Sequence, residues 1–280
     1  WGYLIRAIPQ INGILGYSTI TLGTLVGIST AILFVLRQFG IGWLVSLFVI
    51  LFLLVRPVLF PQFTINAGLL AVAAIACWSL YEQQENKYAL SAGCVLAFCS
   101  YLVRNHEFLL VILIALPFLP WSKLLKDRTA QAAAIGLLLA ISIATFIDYQ
   151  AYQGSEWQAF NALDPARVPF TDFGAAVQLN QHPEILSRHS YSTNDISLIG
   201  AWFFADPTIA NPTALNTMLT ELGPLAAQPN SLNNGWAGIQ ALAHPVLLPG
   251  VLTAILLFFI LPSRRLFITW MLCLMALFAL

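Results

Sequence analysis

The sequence predicts an all-α polytopic membrane protein, a transmembrane helical bundle of about eight spans with one mainly helical extracytoplasmic domain. Of its 280 residues, 59% are hydrophobic and only 9% are charged, whereas ordinary soluble domains carry about 25% charged residues. The mean hydropathy of +0.80 agrees with this class. One polar stretch, residues 148–244, separates two apolar blocks. We therefore expect about six spans in residues 1–147, a polar domain in residues 148–244, and two further spans in residues 245–280.

The apolar runs place the individual spans. A membrane helix needs roughly 20 apolar residues, and fewer where neighbouring helices bury it. On this rule we expect helices at residues 17–36, 39–55, 64–81, 88–103, 108–121, 130–147, 245–261 and 266–280. The run 108–121 contains Pro117 and Pro120, which predict a broken or re-entrant helix. The chain begins at Trp1 without a leader pattern and ends inside an apolar run, so we expect further spans beyond it.

Basic residues in the short links predict the orientation. The links at residues 123–128 and 264–265 are rich in Lys and Arg, which favours the cytoplasmic side of the membrane. The polar stretch that lies between them in sequence is then extracytoplasmic. Its eight acidic residues and two arginines leave about six net negative charges. Nucleic acid is therefore not expected as a partner.

Two arginines fall in links that the same count places on the outer face. Arg56 and Arg104 thus go against the positive-inside tendency. One interpretation is that they snorkel to lipid headgroups. The functional interpretation is an anion clamp, because guanidinium matches phosphate through paired hydrogen bonds and keeps its charge. His106 and Glu107 follow Arg104 and supply a candidate proton acceptor; the simpler interpretation is an Arg104–Glu107 ion pair with His106 uninvolved.

Three helix starts are predicted within the polar stretch. Ser192 followed by Asp195 ahead of an apolar run is a capping box, with Ser192 at the N-cap and Asp195 at N3. We expect this helix to carry the aromatic residues 202–204, packed as the core of the polar domain. A second helix is predicted to begin at Pro212, with Gly223 after its last turn, and a third begins at Pro183.

Common catalytic motifs are absent from the sequence. It contains no GxxxxGKS/T loop, Rossmann glycine pattern, HExxH or GxSxG. The sequence therefore contains none of the motifs that usually support nucleotide hydrolysis, zinc proteolysis or serine hydrolysis. The four cysteines all fall in apolar runs, so the sequence predicts neither a disulfide framework nor a Cys-based metal site in the polar domain.

Three short strings, residues 160–167, 169–173 and 191–206, combine acidic and aromatic side chains. The first and third also hold an amide, and the first holds an arginine. This mixture suits carbohydrate, because sugar faces stack on rings, hydroxyls bond to Asp and Asn, and a carboxylate can act as general base. The candidate catalytic residues are Asp172, Asp195, Glu107 and His106. The candidate substrate-binding residues are Arg56, Arg104, Arg167, Asn194, Asp206 and Trp202. The alternative is that Asp172, Asp195 and Asp206 only cap helices and turns.

The run 54–64, the pair Arg104 and Glu107, and the strings 161–172 and 192–195 resemble a poorly characterised family of bacterial multispanning envelope proteins. More loosely, the layout is similar to the GT-C class of membrane glycosyltransferases and to O-antigen-type polymerases. The resemblance implies a bacterial cytoplasmic (inner) membrane location and a sugar carried on polyprenyl phosphate or pyrophosphate at the outer boundary.

By this resemblance Arg56 and Arg104 would bind the lipid phosphate, and Asp172 or Asp195 would face the acceptor sugar. GT-C members often use a divalent metal, Mg²⁺ or Mn²⁺, although no ligand cluster in this sequence requires one. Their acidic base usually lies in the first outer loop, which here would precede Trp1.

Two other functions remain open. A transporter or flippase of lipid-linked substrates would carry ionisable residues deep inside its spans, whereas the charges here lie at span ends. A structural or assembly subunit of an envelope complex would dock partner membrane subunits, for which Trp202 and Phe203 could form an exposed patch.

Overall fold

The computed structural model describes residue 2, residues 16–225 and 231–244, single positions between 248 and 259, and residues 263–279. All regular secondary structure in these residues is helical, which confirms the predicted all-α class. Besides one 3₁₀ turn, they form helices α1 Gly16–Gln38, α2 Trp43–Leu59, α3 Phe63–Gln84, α4 Lys87–Val103, α5 Asn105–Ile114, α6 Trp121–Lys126, α7 Arg128–Ala151, α8 Ser155–Thr171, α9 Ala175–Leu179, α10 Pro183–Arg188, α11 Thr193–Gly200, α12 Pro212–Leu222, α13 Ser231–Leu242 and α14 Arg264–Ala279.

Three of these helices, α1, α3 and α7, are long and apolar enough to cross a membrane. They indicate a membrane protein. The prediction of about eight spans is not confirmed, because α2 and α4 have only 17 residues each and a helix of that length reaches about 26 Å against a hydrocarbon core of about 30 Å. The predicted span at residues 245–261 lies mostly outside the described residues.

The predicted break in the run 108–121 is confirmed. Helix α5 ends at Ile114, a 3₁₀ turn Leu116–Phe118 carries Pro117 near its start, and α6 begins only after Pro120. Each proline lacks a backbone N–H and cannot continue the α-helical hydrogen bonding. This segment is therefore too interrupted to form one continuous span.

Two compact units divide the chain, the first comprising Trp1–Thr145 with Leu248–Ala276 and the second Phe146–Leu247 with Leu277–Leu280. In the first unit α3 is the central helix, in contact with α1, α4 and α5. It buries residues on nearly every side, as expected for a core helix. By contrast α7 exposes large apolar side chains along its length and buries only Ala130, as expected for a helix that faces lipid.

The second unit has its own apolar core, around which α8 packs against α9, α11 and α12. Its large, deeply buried side chains are Phe170, Leu179, Leu186, Ile196, Ile199, Leu215 and Met218. On its surface, an ion pair of 2.9 Å between Arg188 and Glu221 and a hydrogen bond of 2.8 Å between His189 Nε2 and Glu221 Oε1 join the end of α10 to α12. The predicted helix starts at Pro183 and Pro212 are both confirmed.

Candidate functional site

The candidate residues fall into the two units, which are described separately. The first unit holds Arg56, Arg104, His106 and Glu107, and the second holds Arg167, Asp172, Asn194, Asp195, Trp202 and Asp206.

Arg104 lies in the link between α4 and α5 and is held on three sides. Its Nη1 donates a hydrogen bond of 2.6 Å to Thr64 Oγ1, and its Nε lies 3.5 Å from Glu107 Oε1. The guanidinium carbon stacks 5.2 Å from the centre of the Phe63 ring. These contacts confirm the expected Arg104–Glu107 ion pair. Because 41% of the Arg104 side chain is exposed, part of its donor fork remains accessible to a ligand.

Arg56 and His106 have fewer contacts. Arg56 lies in the last turn of α2 and His106 in the first turn of α5, and both are exposed. Neither side chain forms a hydrogen bond or ion pair with another residue in the described part of the chain. No such contact therefore joins Arg56 to Arg104, and the clamp that would use both stays a prediction.

Asp195 forms the predicted capping box. Ser192 Oγ accepts a hydrogen bond of 3.2 Å from the Asp195 N–H, and Asp195 Oδ2 accepts from the Ser192 N–H at 2.8 Å. The Ser192 hydroxyl also donates to Asp195 Oδ2 at 2.7 Å. One carboxylate oxygen of Asp195 is therefore occupied by the start of α11, while its catalytic role remains a prediction.

Substitution Ser192→Ala is expected to destabilise the protein by about 1 kcal/mol, the usual effect of losing an N-cap side chain. The measurement is the unfolding midpoint of the purified protein, followed by a probe in the second unit. Substitution Thr193→Ala, one position later, removes an exposed hydroxyl that does not cap and should leave the midpoint nearly unchanged. Equal effects of the two changes would contradict the capping role.

The helix that begins with this box ends earlier than predicted. We expected it to carry residues 202–204, but α11 ends at Gly200. Trp202 has a φ of 66°, and the Phe203 N–H donates to Leu198 O at 2.9 Å. This is a Schellman ending in which Trp202 takes the left-handed position that glycine usually occupies. An aromatic residue there is unusual, which indicates that contacts elsewhere hold it.

Those contacts are with Arg167. The guanidinium carbon of Arg167 lies 4.4 Å from the centre of the Trp202 ring and 5.6 Å from that of Phe204. Arg167 also pairs with Asp164 one turn earlier on α8. Only 13% of the Arg167 side chain is exposed, and its Nη1 is buried with no hydrogen-bond partner in the described residues. Arg167 is thus a charged side chain that stacks against the rings of Trp202 and Phe204. Its Nη1 remains a hydrogen-bond donor without a partner in the described residues.

Beside Arg167 lies a cleft of about 730 Å³. Phe160, which is 46% exposed, and Phe204 line it, together with Asn211 at the N-cap of α12. Asn211 Oδ1 accepts from the N–H groups of Thr213 and Ala214 at 3.0 and 3.2 Å. Its amide N–H₂ therefore remains a donor toward a ligand. We call this the Arg167 cleft.

The chain matches no family model, and no curated protein or solved structure matches it. Its function must therefore be argued from its own residues.

The remaining candidates in the second unit do not converge on one another through hydrogen bonds. Asp206 Oδ1 accepts from the Thr208 hydroxyl at 2.6 Å and the Thr208 N–H at 2.9 Å, and these bonds lower the pKa of its carboxyl. Asp206 therefore stays ionised and fixes a turn. Asp172 is the C-cap residue of α8, and both it and Asn194 are exposed without a side-chain hydrogen bond to a described residue.

The described residues offer no preformed cluster for the divalent metal that the resemblance implies. Among them, no three His, Cys, Asp or Glu side chains lie close enough together to hold a metal ion. Mg²⁺ and Mn²⁺ prefer several oxygen ligands, and the proposed reaction assigns no step to a metal.

Sequence reasoning did not join Phe204 or Asn211 to Arg167. It placed Phe204 in a string that suits carbohydrate and in the domain core, and it placed Asn211 only at the start of a helix. No sequence pattern could have joined them to Arg167, because the three residues come from separate segments that only the folded unit brings together.

Proposed function

We propose that the protein is an integral membrane glycosyltransferase or polysaccharide polymerase. It would use a sugar linked to polyprenyl phosphate or pyrophosphate at the outer face of the bacterial cytoplasmic membrane. In this proposal residues 148–244 form the extracytoplasmic domain. The shorter helices α2, α4 and α14, the broken segment 108–121 and the run 245–261 complete a bundle of about eight spans. The three long apolar helices support the membrane part of the proposal.

The Arg167 cleft is the observation that carries the functional part. A sugar offers an apolar face and a ring of hydroxyl groups, and binding pockets combine aromatic walls with a few placed polar groups. Phe160 and Phe204 supply the walls, and the Asn211 amide supplies a donor. The guanidinium of Arg167 suits a carboxylate or phosphate on the same ligand. The cleft therefore fits the glycan acceptor.

The reaction requires a base, an acceptor hydroxyl and a leaving group. A carboxylate removes the proton from the acceptor hydroxyl, whose oxygen forms a new bond to C1 of the donor sugar. The bond from C1 to the phosphate oxygen breaks, and the lipid phosphate leaves with the electron pair. We assign the base to Asp172, because its carboxylate has no other partner in the described residues. Arg104, with its accessible donor fork, is assigned to the negative charge on the lipid phosphate.

A transporter is less well supported than an enzyme. In α1, α3 and α7 the charged residues, Arg37, Glu82, Arg128 and Asp148, all lie near helix ends. Transport of ions or charged substrates usually places such residues at the centre of a span. The described helices therefore offer no charged path across the membrane.

The proposal assigns different substrates to the two arginines, so their variants should differ. In membranes that contain the full-length chain, Arg167→Met should raise KM for the acceptor glycan by about tenfold, because one charge-assisted hydrogen bond contributes about 1.5–3 kcal/mol. Arg104→Gln should raise KM for the lipid-linked donor by a similar factor. Transfer of labelled sugar, measured while one substrate is varied at a time, gives both values.

Arg188→Gln is the matched control, since Arg188 is an exposed arginine paired only on the surface of the second unit and should leave both KM values unchanged. If the wild-type chain transfers no sugar from a polyprenyl-linked donor, the proposed function is wrong. If Arg167→Met changes donor KM instead, the cleft is not the acceptor site.

A further inference from the structure

Four links that join the helices of the first unit lie at one end of it. The Gln84 amide donates to Gln38 O at 3.0 Å, and Ser122 Oγ donates to Glu82 Oε1 at 3.2 Å. Arg265 Nη1 lies 3.1 Å from Glu82 Oε2. The four links joined by these contacts are residues 37–42, 82–87, 122–128 and 263–265. Most of the basic residues of the unit are therefore gathered at this end.

Between the links at this end is a cleft of about 550 Å³, the basic cleft. Lys87, Lys123, Lys126 and Arg128 line it, against only two carboxylates, Glu85 and Asp127. Four cations against two anions leave the lining with an excess of positive charge.

Both carboxylates are already engaged. Glu85 pairs with Lys123. Asp127 accepts hydrogen bonds from the Tyr81 hydroxyl and from the Thr129 N–H, and these bonds lower the pKa of its carboxyl. By contrast the exposed cations Lys87, Lys126 and Arg128 form no ion pair within the described part of the chain. They are the charges that are available to an external anionic partner.

The position of the cleft indicates what that partner is. Helix α3 ends at Gln84 and α7 begins at Arg128, and both are long and apolar enough to cross a membrane. Where they do, the cleft lies at the membrane boundary. Tyr88 and Trp121 nearby are 84% and 47% exposed, as expected for aromatic residues at the headgroup level. Basic pockets between membrane helices suit anionic headgroups.

We propose that Lys87, Lys126 and Arg128 bind the phosphate group of an anionic lipid in this cleft. The phosphate oxygens accept hydrogen bonds from the ammonium groups and from the guanidinium fork. The acyl chains extend along the exposed apolar surface of α7. This site is independent of the proposed sugar transfer, because none of its residues takes part in that reaction.

The test uses the full chain in neutral detergent, titrated with short-chain phosphatidylglycerol, with phosphatidylcholine and with inorganic phosphate. Bound lipid is counted by native mass spectrometry. We expect saturable binding of phosphatidylglycerol and little of phosphatidylcholine. The double variant Lys126→Gln/Arg128→Gln should weaken binding by about fivefold for each cation removed. These side chains are exposed, so the variant should remain folded.

Arg264→Gln is the matched control. It removes an exposed cation at the same end of the unit that does not line the cleft, and it should change binding by less than about twofold. An equal loss in this variant would mean diffuse surface charge and would overturn the site. The absence of saturable phosphatidylglycerol binding would also overturn it. Tight binding of inorganic phosphate without preference for the lipid would overturn the lipid as its source.

Discussion

Replacement of Asp172 by asparagine is expected to lower kcat for sugar transfer by about 10²–10⁴-fold, the usual contribution of a general base. Asparagine keeps the shape of aspartate but does not take up a proton. The Asp172 carboxylate is exposed at the end of α8 and has no partner in the described residues, so the substitution should leave stability nearly unchanged. The rate at saturating donor and acceptor, together with the amount of protein in the membrane, measures the effect.

Three other carboxylates of the second unit, on Asp195, Asp206 and Asp164, are less suited to this role, because each is already used. Asp195 accepts from the Ser192 N–H, Asp206 accepts from Thr208, and Asp164 pairs with Arg167. Substitution Asp195→Asn should therefore change stability more than kcat. The reverse result, a large loss of kcat with stability intact, would transfer the role of base from Asp172 to Asp195.

Asp148→Asn is the control for Asp172→Asn. Asp148 is an exposed carboxylate in the second unit, near the end of α7, and it has no assigned role. Its variant should retain full activity. A loss of kcat in both variants would show that the reaction responds to net charge and not to one base.

Features encoded by neighbouring residues could be predicted from the sequence. The capping box needs only Ser192 and Asp195 three positions apart, and the break after α5 needs only Pro117 and Pro120. In each case the hydrogen bonds that decide the local structure join residues within one helical turn. For such features the residues that form the sequence pattern are also the residues that determine the local backbone structure.

The stacking of the Trp202 and Phe204 rings on Arg167 could not be predicted in this way. Helix α8 continues through Pro165 and Pro169, which the usual proline rule argues against. Trp202 takes a backbone conformation that favours glycine and stacks on an arginine distant in sequence. Here tertiary packing overrides local preference. A sequence pattern shows the residue types of such a site but not their contacts.

Helix ends were also beyond the sequence pattern. An apolar run marks residues that tolerate lipid, but the hydrogen bonding at its ends decides where the helix begins and ends. Between α1 and α2 the chain turns at Gly40, which has a φ of 78°. Helix α2 then ends at Leu59, four residues before α3 begins at Phe63. These turns move both ends of α2 along the chain from the predicted run 39–55.

Substitution of Gly93 is expected to separate α3 from α4 and to destabilise the first unit. A Cβ at this position would lie 2.5 Å from Trp78 Nε1 and 3.1 Å from Ala74 O. Trp78 is itself only 9% exposed, so its ring has little room to move. Overpacking of this kind costs about 1–3 kcal/mol for Gly93→Ala, and Gly93→Leu should cost more.

The packing of these two helices explains the size of the effect. Ala89, Gly93 and Ala97 follow one another at four-residue spacing on α4 and are all buried. The Ser100 hydroxyl continues this face and donates to Ala67 O on α3 at 2.8 Å. Membrane helices associate through such small residues, because lipid provides no hydrophobic drive and close van der Waals contact must replace it. A side chain at Gly93 removes that contact.

Gly68→Ala is the matched control on α3. A Cβ there would meet only Val111 Cγ2 at 3.9 Å, an ordinary contact, and alanine favours the helix over glycine by about 1 kcal/mol. Unfolding of both variants in detergent, followed by circular dichroism, should show a loss for Gly93→Ala and none for Gly68→Ala. Trp78→Ala should reduce the cost of Gly93→Ala, because it removes the ring that the new methyl group meets. Additive effects of the two substitutions would contradict the close approach of α3 and α4 at this point.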